Sequence, residues 1–368
     1  MKTKNLLSTI LSLGLMLNLA LSPSSAAQEK EKEKKVQEPK MTIIPEEVKS
    51  VLQEGITTRK EHLDIPFTFI KHLYLPAQQN MHSIFFFRVK NADLGFFPVA
   101  PTPESPEGKK EREEEKIPPP ETESPPIKLQ ANSNVFLQFN KLENNIPGEL
   151  VKEVYMPINL EVESSSYEPD RDELYTTGYP LPPGNYLMSM AITSKDLKKI
   201  GAQYFEFSLP DQASFTDRLE TTPIFLVNNI KGMDSPETTS EVHEGFFTYS
   251  ILQIEPNVEN IFSLGEKFDV FYYIFGAQPG ESGKYNIEAN YEVLKGEEKV
   301  IRYGLATYES PIVIQPIPLK KTVIIKSETE GEKKEERDLE PGKYTFSINI
   351  TDKISGNSIS KSIDFEVK

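Results

Sequence analysis

The sequence predicts a mainly β protein built from two tandem antiparallel β-sandwiches, with one short N-terminal helix. Three observations support this fold class. The segment 181–186 (Leu-Pro-Pro-Gly-Asn-Tyr) returns at 339–344 as Leu-Glu-Pro-Gly-Lys-Tyr. Apolar residues alternate after each copy, and short strand patterns elsewhere are separated by Gly, Pro and Asn at the spacing of a sandwich. Two copies of one unit predict two similar domains.

Each copy of the repeat predicts a terminal β-hairpin. The Pro-Gly pair supplies one residue with a fixed φ and one with access to positive φ, which a tight turn requires. From Tyr186 and from Tyr344, apolar side chains recur at every second residue, so one face of each strand enters a core. A polar turn and a last alternating strand follow in both copies.

The N-terminus predicts export. Residues 1–27 combine Lys2 and Lys4, an apolar stretch at 6–21 and a small-residue end, which is the pattern of a secretory signal peptide. A membrane anchor is the alternative, but the stretch is shorter than the roughly 20 residues needed to span a bilayer. Residues 28–40 are almost entirely Lys, Glu and Gln and predict a flexible charged linker.

Charge and cysteine content exclude several functional classes. The chain carries 41 Lys and Arg against 56 Asp and Glu, and removal of Lys2 and Lys4 with the signal takes its net charge from −15 to −17. Such a surface repels nucleic acid and anionic lipid, so neither is an expected partner. The absence of cysteine excludes disulfides, thiolate chemistry and a lipid-anchored lipoprotein. Each domain must therefore rely on its own apolar core.

One helix is predicted after the linker. Pro45, Glu46 and Glu47 are typical of a helix start, and an apolar stripe follows as far as Gly55. The members of that stripe are Ile44, Val48, Val51 and Leu52. We expect the stripe to dock on the first domain rather than to bind a separate partner.

The predicted first domain spans residues 41–230. Its strand patterns lie at 65–75, 83–90, 134–139, 155–162, 186–192, 202–209 and 223–227. The distance from Phe85 to Tyr186 exceeds the corresponding distance from Val270 to Tyr344 by 27 residues. The segment 98–126 accounts for this excess, since it contains nine prolines, eight glutamates and no aromatic residue. It predicts a disordered Pro/Glu-rich insert between two strands.

A break at residues 231–240 is the predicted linker, and the second domain spans 241–368. Its strand patterns lie at 245–254, 267–275, 285–294, 299–305, 312–314, 322–326, 344–350 and 358–367. Two strands, at 85–87 and 271–275, place large aromatic side chains on both faces. The other domain, the N-terminal helix, a partner protein or the long loops must cover the outer faces, and the loops are the favoured interpretation.

No catalytic, cofactor or metal site is predicted. His62, His72, His82 and His243 match no zinc spacing, so structural roles are favoured for them. Residues 170–173 (Asp-Arg-Asp-Glu) offer carboxylates to a cation but lack the register of a calcium loop, which favours a solvated turn. The Asn349-Ile350-Thr351 acceptor for glycosylation falls within a predicted strand and is discounted.

The Leu-x-Pro-Gly-x-Tyr motif before the penultimate strand resembles immunoglobulin-like and fibronectin type III-like sandwiches. That resemblance implies that Tyr186 and Tyr344 are corner residues whose hydroxyls bond back across the connection. More broadly, the chain resembles secreted bacterial proteins with tandem sandwich domains, including relatives of the GWxTD-domain proteins. The Gly-Trp-x-Thr-Asp motif itself is absent because the sequence has no Trp. The resemblance implies no activity.

These features favour an exported, non-catalytic binding or scaffolding protein of the bacterial cell envelope, either secreted or periplasmic. The expected partner is another envelope protein or a glycan, and the oligomeric state stays open. One alternative is a module like a protease inhibitor or chaperone that uses the insert 98–126 as an accessory loop. A second alternative is a hydrolase with a carboxylate site between the two domains, which requires a cleft holding paired acids.

Overall fold

The structure is a computed structural model that describes residues 43–99, 127–327 and 331–368. These residues are mainly β, with several antiparallel sheets and one short α-helix, as the sequence predicts for the β-sandwich class. The predicted signal peptide and charged linker lie outside the described residues. All of the predicted insert except Pro98 and Val99 does so too.

The first part of the chain contains helix α1 (Glu46–Ile56), a 3-10 turn (Asn91–Leu94) and a series of strands that overlap every predicted strand pattern there. The strands are β1 (His62–Leu63), β2 (Phe67–Ala77), β3 (Asn80–Lys90), β4 (Phe97–Pro98), β5 (Lys128–Gln130), β6 (Ser133–Glu143), β7 (Ile146–Ile158), β8 (Glu161–Glu163), β9 (Asp172–Leu181), β10 (Gly184–Ser194) and β11 (Ile200–Leu209).

After a second 3-10 turn (Gln212–Phe215), further strands again overlap the predicted patterns. They are β12 (Glu220–Thr221), β13 (Phe225–Gly232), β14 (Val242–Glu244), β15 (Phe247–Tyr249), β16 (Leu252–Pro256), β17 (Ile261–Phe262), β18 (Lys267–Phe275), β19 (Ile287–Lys295), β20 (Glu298–Arg302), β21 (Ala306–Tyr308), β22 (Ile312–Pro318), β23 (Lys320–Ser327), β24 (Gly331–Asp338), β25 (Gly342–Asp352) and β26 (Ser358–Val367).

Four sheets carry the architecture. Sheet I has the order β1-β11-β10-β6-β7, and sheet II has the order β14-β9-β3-β2. Sheet III has the order β12-β18-β13-β16-β15 with β22 also on β18, and sheet IV has the order β17-β26-β25-β19-β20 with β21 also on β19. The strand pairs are antiparallel except for β17 and β26, which are parallel. Strands β4, β5 and β8 form a small sheet, in which β4 and β5, on either side of the undescribed residues 100–126, pair with each other.

Each pair of sheets encloses a hydrophobic core. The first core lies between sheets I and II and includes Phe85, Phe139 and Met188, each at most 1 % exposed. The second core lies between sheets III and IV and includes Tyr272 and Ile348, which are equally buried. Alternate side chains of the strands enter these cores, as the period-2 alternation in the sequence predicts.

The predicted tyrosine corners are confirmed in both copies. Tyr186 Oη donates a hydrogen bond of 2.7 Å to the carbonyl oxygen of Pro182, and Tyr344 Oη donates one of 2.7 Å to that of Glu340. Both tyrosines are buried and lie opposite a phenylalanine of the last strand of their hairpin. Gly184 and Gly342, each two residues before its tyrosine, have φ values of 144° and 153° that favour glycine, which explains the Pro-Gly pair.

A third buried layer joins the two sandwiches, and it corrects one prediction. The middle layer consists of side chains on the facing sides of sheets II and III, and its members are Leu73, Leu75, Ile84, Phe86, Phe225, Val227, Phe247, Ile254 and Phe271. The favoured reading, that long loops shield the outer aromatic residues, is therefore wrong for Phe86 and Phe271. Each outer face is covered by the other sandwich, because apolar faces this large are stabilised by packing together.

Helix α1 docks on the free face of sheet I, as predicted. Ile44, Val48 and Leu52 are buried against Phe136 and Ala202 of that sheet, while Val51 is half-buried at the edge of the contact. At eleven residues, the α-helix of the described ranges is too short to cross a membrane.

The chain crosses between the sandwiches near the predicted linker at 231–240. Before it, β13 pairs with β18 of sheet III. After it, β14 returns to pair with β9 of sheet II, and only then does β15 rejoin sheet III. The division into domains at this linker stays a prediction, and the crossing places the segment 233–241 beside sheet II.

One loop prediction is corrected. Asp172 and Glu173, expected in a solvated turn, are the first residues of strand β9. Arg171 Nε and Glu173 Oε1 form an ion pair of 2.6 Å at this strand start. Strand β9 itself was not predicted, because Gly178 and Pro180 interrupt its alternation in the way that a turn does.

Candidate ligand-binding cleft

A cleft of about 760 Å³ opens where the middle layer reaches the surface. One side is formed by sheet II, with the turn between β2 and β3, His82 of β3, and residues 176–180 of β9. The other side is formed by residues 236–241, His243 of β14 and residues 247–250 around β15. The crossing of the chain between the two sandwiches therefore creates this cavity.

Glycine shapes the floor of the cleft. Gly178 lies on β9 opposite Ile84 of β3, next to the pair formed by Pro180 and His82. A Cβ atom at Gly178 would lie 2.7 Å from His82 Nε2. The imidazole of His82 can rest against this strand only because residue 178 has no side chain.

Two carboxylates are held at the wall of the cleft by neighbouring side chains. Glu237 Oε2 lies 3.0 Å from His243 Nε2 and accepts a 2.8 Å hydrogen bond from Thr248 Oγ1. Glu241 Oε1 accepts a 2.9 Å hydrogen bond from Thr239 Oγ1. These contacts hold the two acidic side chains in defined positions at the wall.

The two cleft histidines lie in different environments. Burial lowers the pKa of the His82 imidazole to about 4, and the Glu237 carboxylate partly offsets that effect. His82 is therefore neutral at pH 7 and offers one donor and one acceptor nitrogen. His243 stacks on Phe246 with ring centroids 4.6 Å apart, which fixes the plane of its ring beside Glu237.

An aromatic side chain completes the wall formed by β15. Tyr249 Oη donates a 2.7 Å hydrogen bond to the carbonyl oxygen of Pro76, so the tyrosine bridges the two sides of the cleft. Burial raises the pKa of Tyr249 to about 12, and the hydroxyl stays protonated as this hydrogen bond requires. Phe247, buried in the middle layer, lines the base of the same wall.

The structure separates the four histidines that the sequence singles out. His62 Nδ1 lies 2.5 Å from the carbonyl oxygen of Ile200 at the edge of sheet I. His72 packs against Phe85 and Phe207, with ring centroids 5.0 and 4.5 Å away, and its buried Nε2 has no partner among the described residues. Only His82 and His243 are brought together. Within the described ranges, no three His, Asp or Glu side chains are grouped to hold a metal ion.

The acidic residues of the cleft were not singled out from the sequence. Glu237 lies at the end of a Gly/Asp/Ser/Pro-containing break, and Glu241 follows a run of threonine and serine, so both resemble linker residues. The one available signal was the presence of two glutamates close to His243 in a segment that joins two sandwiches.

No known protein-family model matches the chain, and no curated protein matches it. The resemblance to relatives of the GWxTD-domain proteins therefore stays a prediction.

Proposed function

We propose that the chain is an exported, non-catalytic binding or scaffolding protein of the bacterial cell envelope, and that its ligand occupies the cleft. The observation that carries this proposal is the preorganisation of the cleft's polar groups by Thr248, His243 and Thr239. Concave sites with a few fixed polar groups among apolar side chains are typical of ligand binding. The N-terminal sequence pattern supports export.

The rigidity of the surrounding structure supports the same function. The floor of the cleft belongs to sheet II and the wall around β15 belongs to sheet III, and these two sheets are packed together by the middle layer. The ion pair between Arg88 Nη2 and Glu259 Oε1, 3.0 Å long, adds a polar link between the two sandwiches. A site held by buried packing loses little entropy when its ligand binds.

The test is a comparison of two cleft variants with the mature chain. Gly178→Ala displaces His82 from the floor, and Glu241→Gln removes an exposed charge from the wall. Isolated envelope glycans and purified envelope proteins would be titrated against each chain by calorimetry. We expect at least one fraction to bind, and both variants to weaken it. Gly232→Ala, whose added Cβ meets open space, is the matched control for the glycine substitution. Binding that neither cleft variant alters contradicts the proposal.

A hydrolase is the second candidate, and one specific observation favours it. Glu237 and Glu241 line the same cleft between the sandwiches, as a site with paired acids requires. This alternative would be established if the chain hydrolyses oligosaccharide or peptide substrates and if Glu237→Gln and Glu241→Gln each abolish that activity. The binding function predicts that ligands leave the cleft chemically unchanged, which mass spectrometry of the recovered ligand measures.

A further inference from the structure

We infer that the cleft binds a glycan that carries no acidic groups. This inference rests on the proposed binding function and names the chemical class of its ligand. Three properties of the cleft support it: its charge, its hydroxyl groups and the strand edge at its floor.

The charge of the cleft disfavours anionic ligands. Glu237 and Glu241 lie on its wall, and no Lys or Arg is among the described residues that line it. The neutral imidazole of His82 adds no positive charge to the floor at pH 7. His243, the other imidazole of the lining, already faces Glu237 Oε2 at 3.0 Å. A phosphate, sulfate or uronate would therefore meet carboxylates with no Lys or Arg to pair with, which costs binding free energy. Neutral ligands and ligands that carry amino groups meet no such electrostatic repulsion.

Hydroxyl groups dominate the polar lining. They belong to Thr238, Thr239, Ser240, Thr248, Ser250 and Tyr249. The hydroxyls of Thr176 and Thr177 are buried and donate to Phe246 O and Met156 Sδ, so they do not face the cleft. Thr239, Thr248 and Tyr249 already donate within the protein but can still accept a hydrogen bond. Thr238, Ser240 and Ser250 can both donate and accept, so the lining matches a ligand whose own groups are hydroxyls. The carboxylates of Glu237 and Glu241 are strong acceptors for the same groups. The ring of Tyr249 offers an apolar surface for the C–H face of a sugar ring.

The strand edge at the floor disfavours an extended peptide that would pair with β9. Peptides add to a sheet through free backbone N–H and C=O groups of an edge strand. Here β14 already pairs with β9 through Thr177 and Val242. The next outward position of β9 beyond Gly178 is Pro180, which has no N–H group to donate. A volume of about 760 Å³ instead suits a short oligosaccharide.

The experiment uses three tetrasaccharides of equal length: uncharged N-acetylglucosamine, cationic glucosamine and anionic galacturonate. Calorimetry on the mature chain is expected to show binding of the first two and at least about tenfold weaker binding of the third. Tyr249→Ala and Gly178→Ala should each lower the affinity for the uncharged tetrasaccharide by about tenfold. Glu241→Gln should lower mainly the affinity for the cationic glucosamine tetrasaccharide. Glu297→Gln, an exposed charge change on the distant β19–β20 hairpin, should leave all three unchanged.

The outcomes separate the glycan inference from the proposed function. Circular dichroism first establishes that each variant is folded. Tightest binding of the anionic ligand, or binding that the cleft variants leave unchanged, overturns the inference. If no sugar binds but a purified envelope protein does, and the cleft variants weaken it, the glycan inference fails while the proposed function stands. If neither binds, both fail.

Discussion

Phe86 of β3 and Phe247 of β15 meet edge to face across the middle layer, with ring centroids 6.1 Å apart and planes at 88°. The two residues belong to sheets II and III, so this contact joins one sandwich to the other. Both side chains are at most 2 % exposed. The outer faces of the two sandwiches thus form a shared interior, and the protein unfolds as one unit if that interior contributes much of the stability.

Substitution of either ring should therefore destabilise the whole molecule. We expect Phe86→Ala and Phe247→Ala each to cost about 3–5 kcal/mol. A double-mutant cycle in urea should give a coupling of about 0.5–1.5 kcal/mol. Leu264→Ala, at an exposed position, is the control and should change stability little. Independent effects without coupling would show that the rings do not pack on each other.

The two corner tyrosines should contribute unequally to the free energy of unfolding, although their hydrogen bonds to the backbone have the same length. Lys141 Nζ donates hydrogen bonds to Tyr186 Oη and to the carbonyl oxygen of Pro183, at 2.8 and 2.9 Å. At the other corner, Lys295 Nζ lies above the Tyr344 ring, 5.5 Å from its centroid. We expect Tyr344→Phe to cost about 1 kcal/mol and Tyr186→Phe more, because Lys141 also loses an acceptor.

Urea unfolding of the two corner variants measures this difference. Tyr155→Phe is the control, since that side chain is 45 % exposed and its hydroxyl bonds only to the nearby Asn134 in the described chain. Equal losses at all three positions would contradict a special role for the corners.

Acid should destabilise the fold through two histidines. Burial lowers the pKa of His72 to about 3 and that of His82 to about 4, both below the usual value of 6.5. Their contribution to stability is complete above pH 6.5 and is lost as the pH falls toward these lowered values, since the unfolded chain then binds protons that the folded chain does not. At pH 5 each histidine should reduce stability by about 1–2 kcal/mol.

The free energy of unfolding measured between pH 8 and pH 4 checks this prediction. His72→Phe fills the same aromatic site without a titrating group or an unpaired nitrogen, so its curve should fall less steeply below pH 6.5. A slope that matches the wild-type slope would show that His72 is accessible to protons in the folded state.

Replacement of Gly55, near the end of α1, by alanine should destabilise the protein, although this substitution stabilises most helices. Replacement of glycine by alanine in a helix usually gains up to about 1 kcal/mol. Here an added Cβ would collide with the ring of Tyr204, whose Oη lies 3.1 and 3.0 Å from the carbonyl oxygens of Val51 and Leu52. We expect Gly55→Ala to lose about 1–3 kcal/mol in thermal unfolding.

The same substitution made in a Tyr204→Ala chain provides the control. With the ring removed, alanine at position 55 should become neutral or stabilising, because only its helix propensity then acts. A loss of the same size in both chains would contradict the steric explanation.

The local part of the fold was predictable from the sequence. The turn chemistry of the Pro-Gly pairs and the alternation after Tyr186 and Tyr344 depend on neighbouring residues, and both corners follow from them. The docking of α1 was predictable from its apolar stripe. Strand β9 was not, since Gly178 and Pro180 are common in turns and its pairing with β3 depends on a distant segment.

The cleft was not predictable for a related reason. His82 and Glu237 are far apart in the sequence, and they meet because β14 crosses to sheet II before the chain returns to sheet III. The aromatic pattern around Phe86 and Phe271 indicated that something covers both faces, but it could not identify the cover.

Hydrogen exchange of the mature chain, with and without the uncharged tetrasaccharide, tests the central claim most directly. The claim is that the ligand binds between residues 176–180 and 236–250. We predict slower amide exchange in both segments when the ligand is present, and unchanged exchange in the corner hairpin formed by β25 and β26. Protection confined to other parts of the chain, or none at ligand concentrations that saturate binding, would contradict the assignment of the cleft as the binding site.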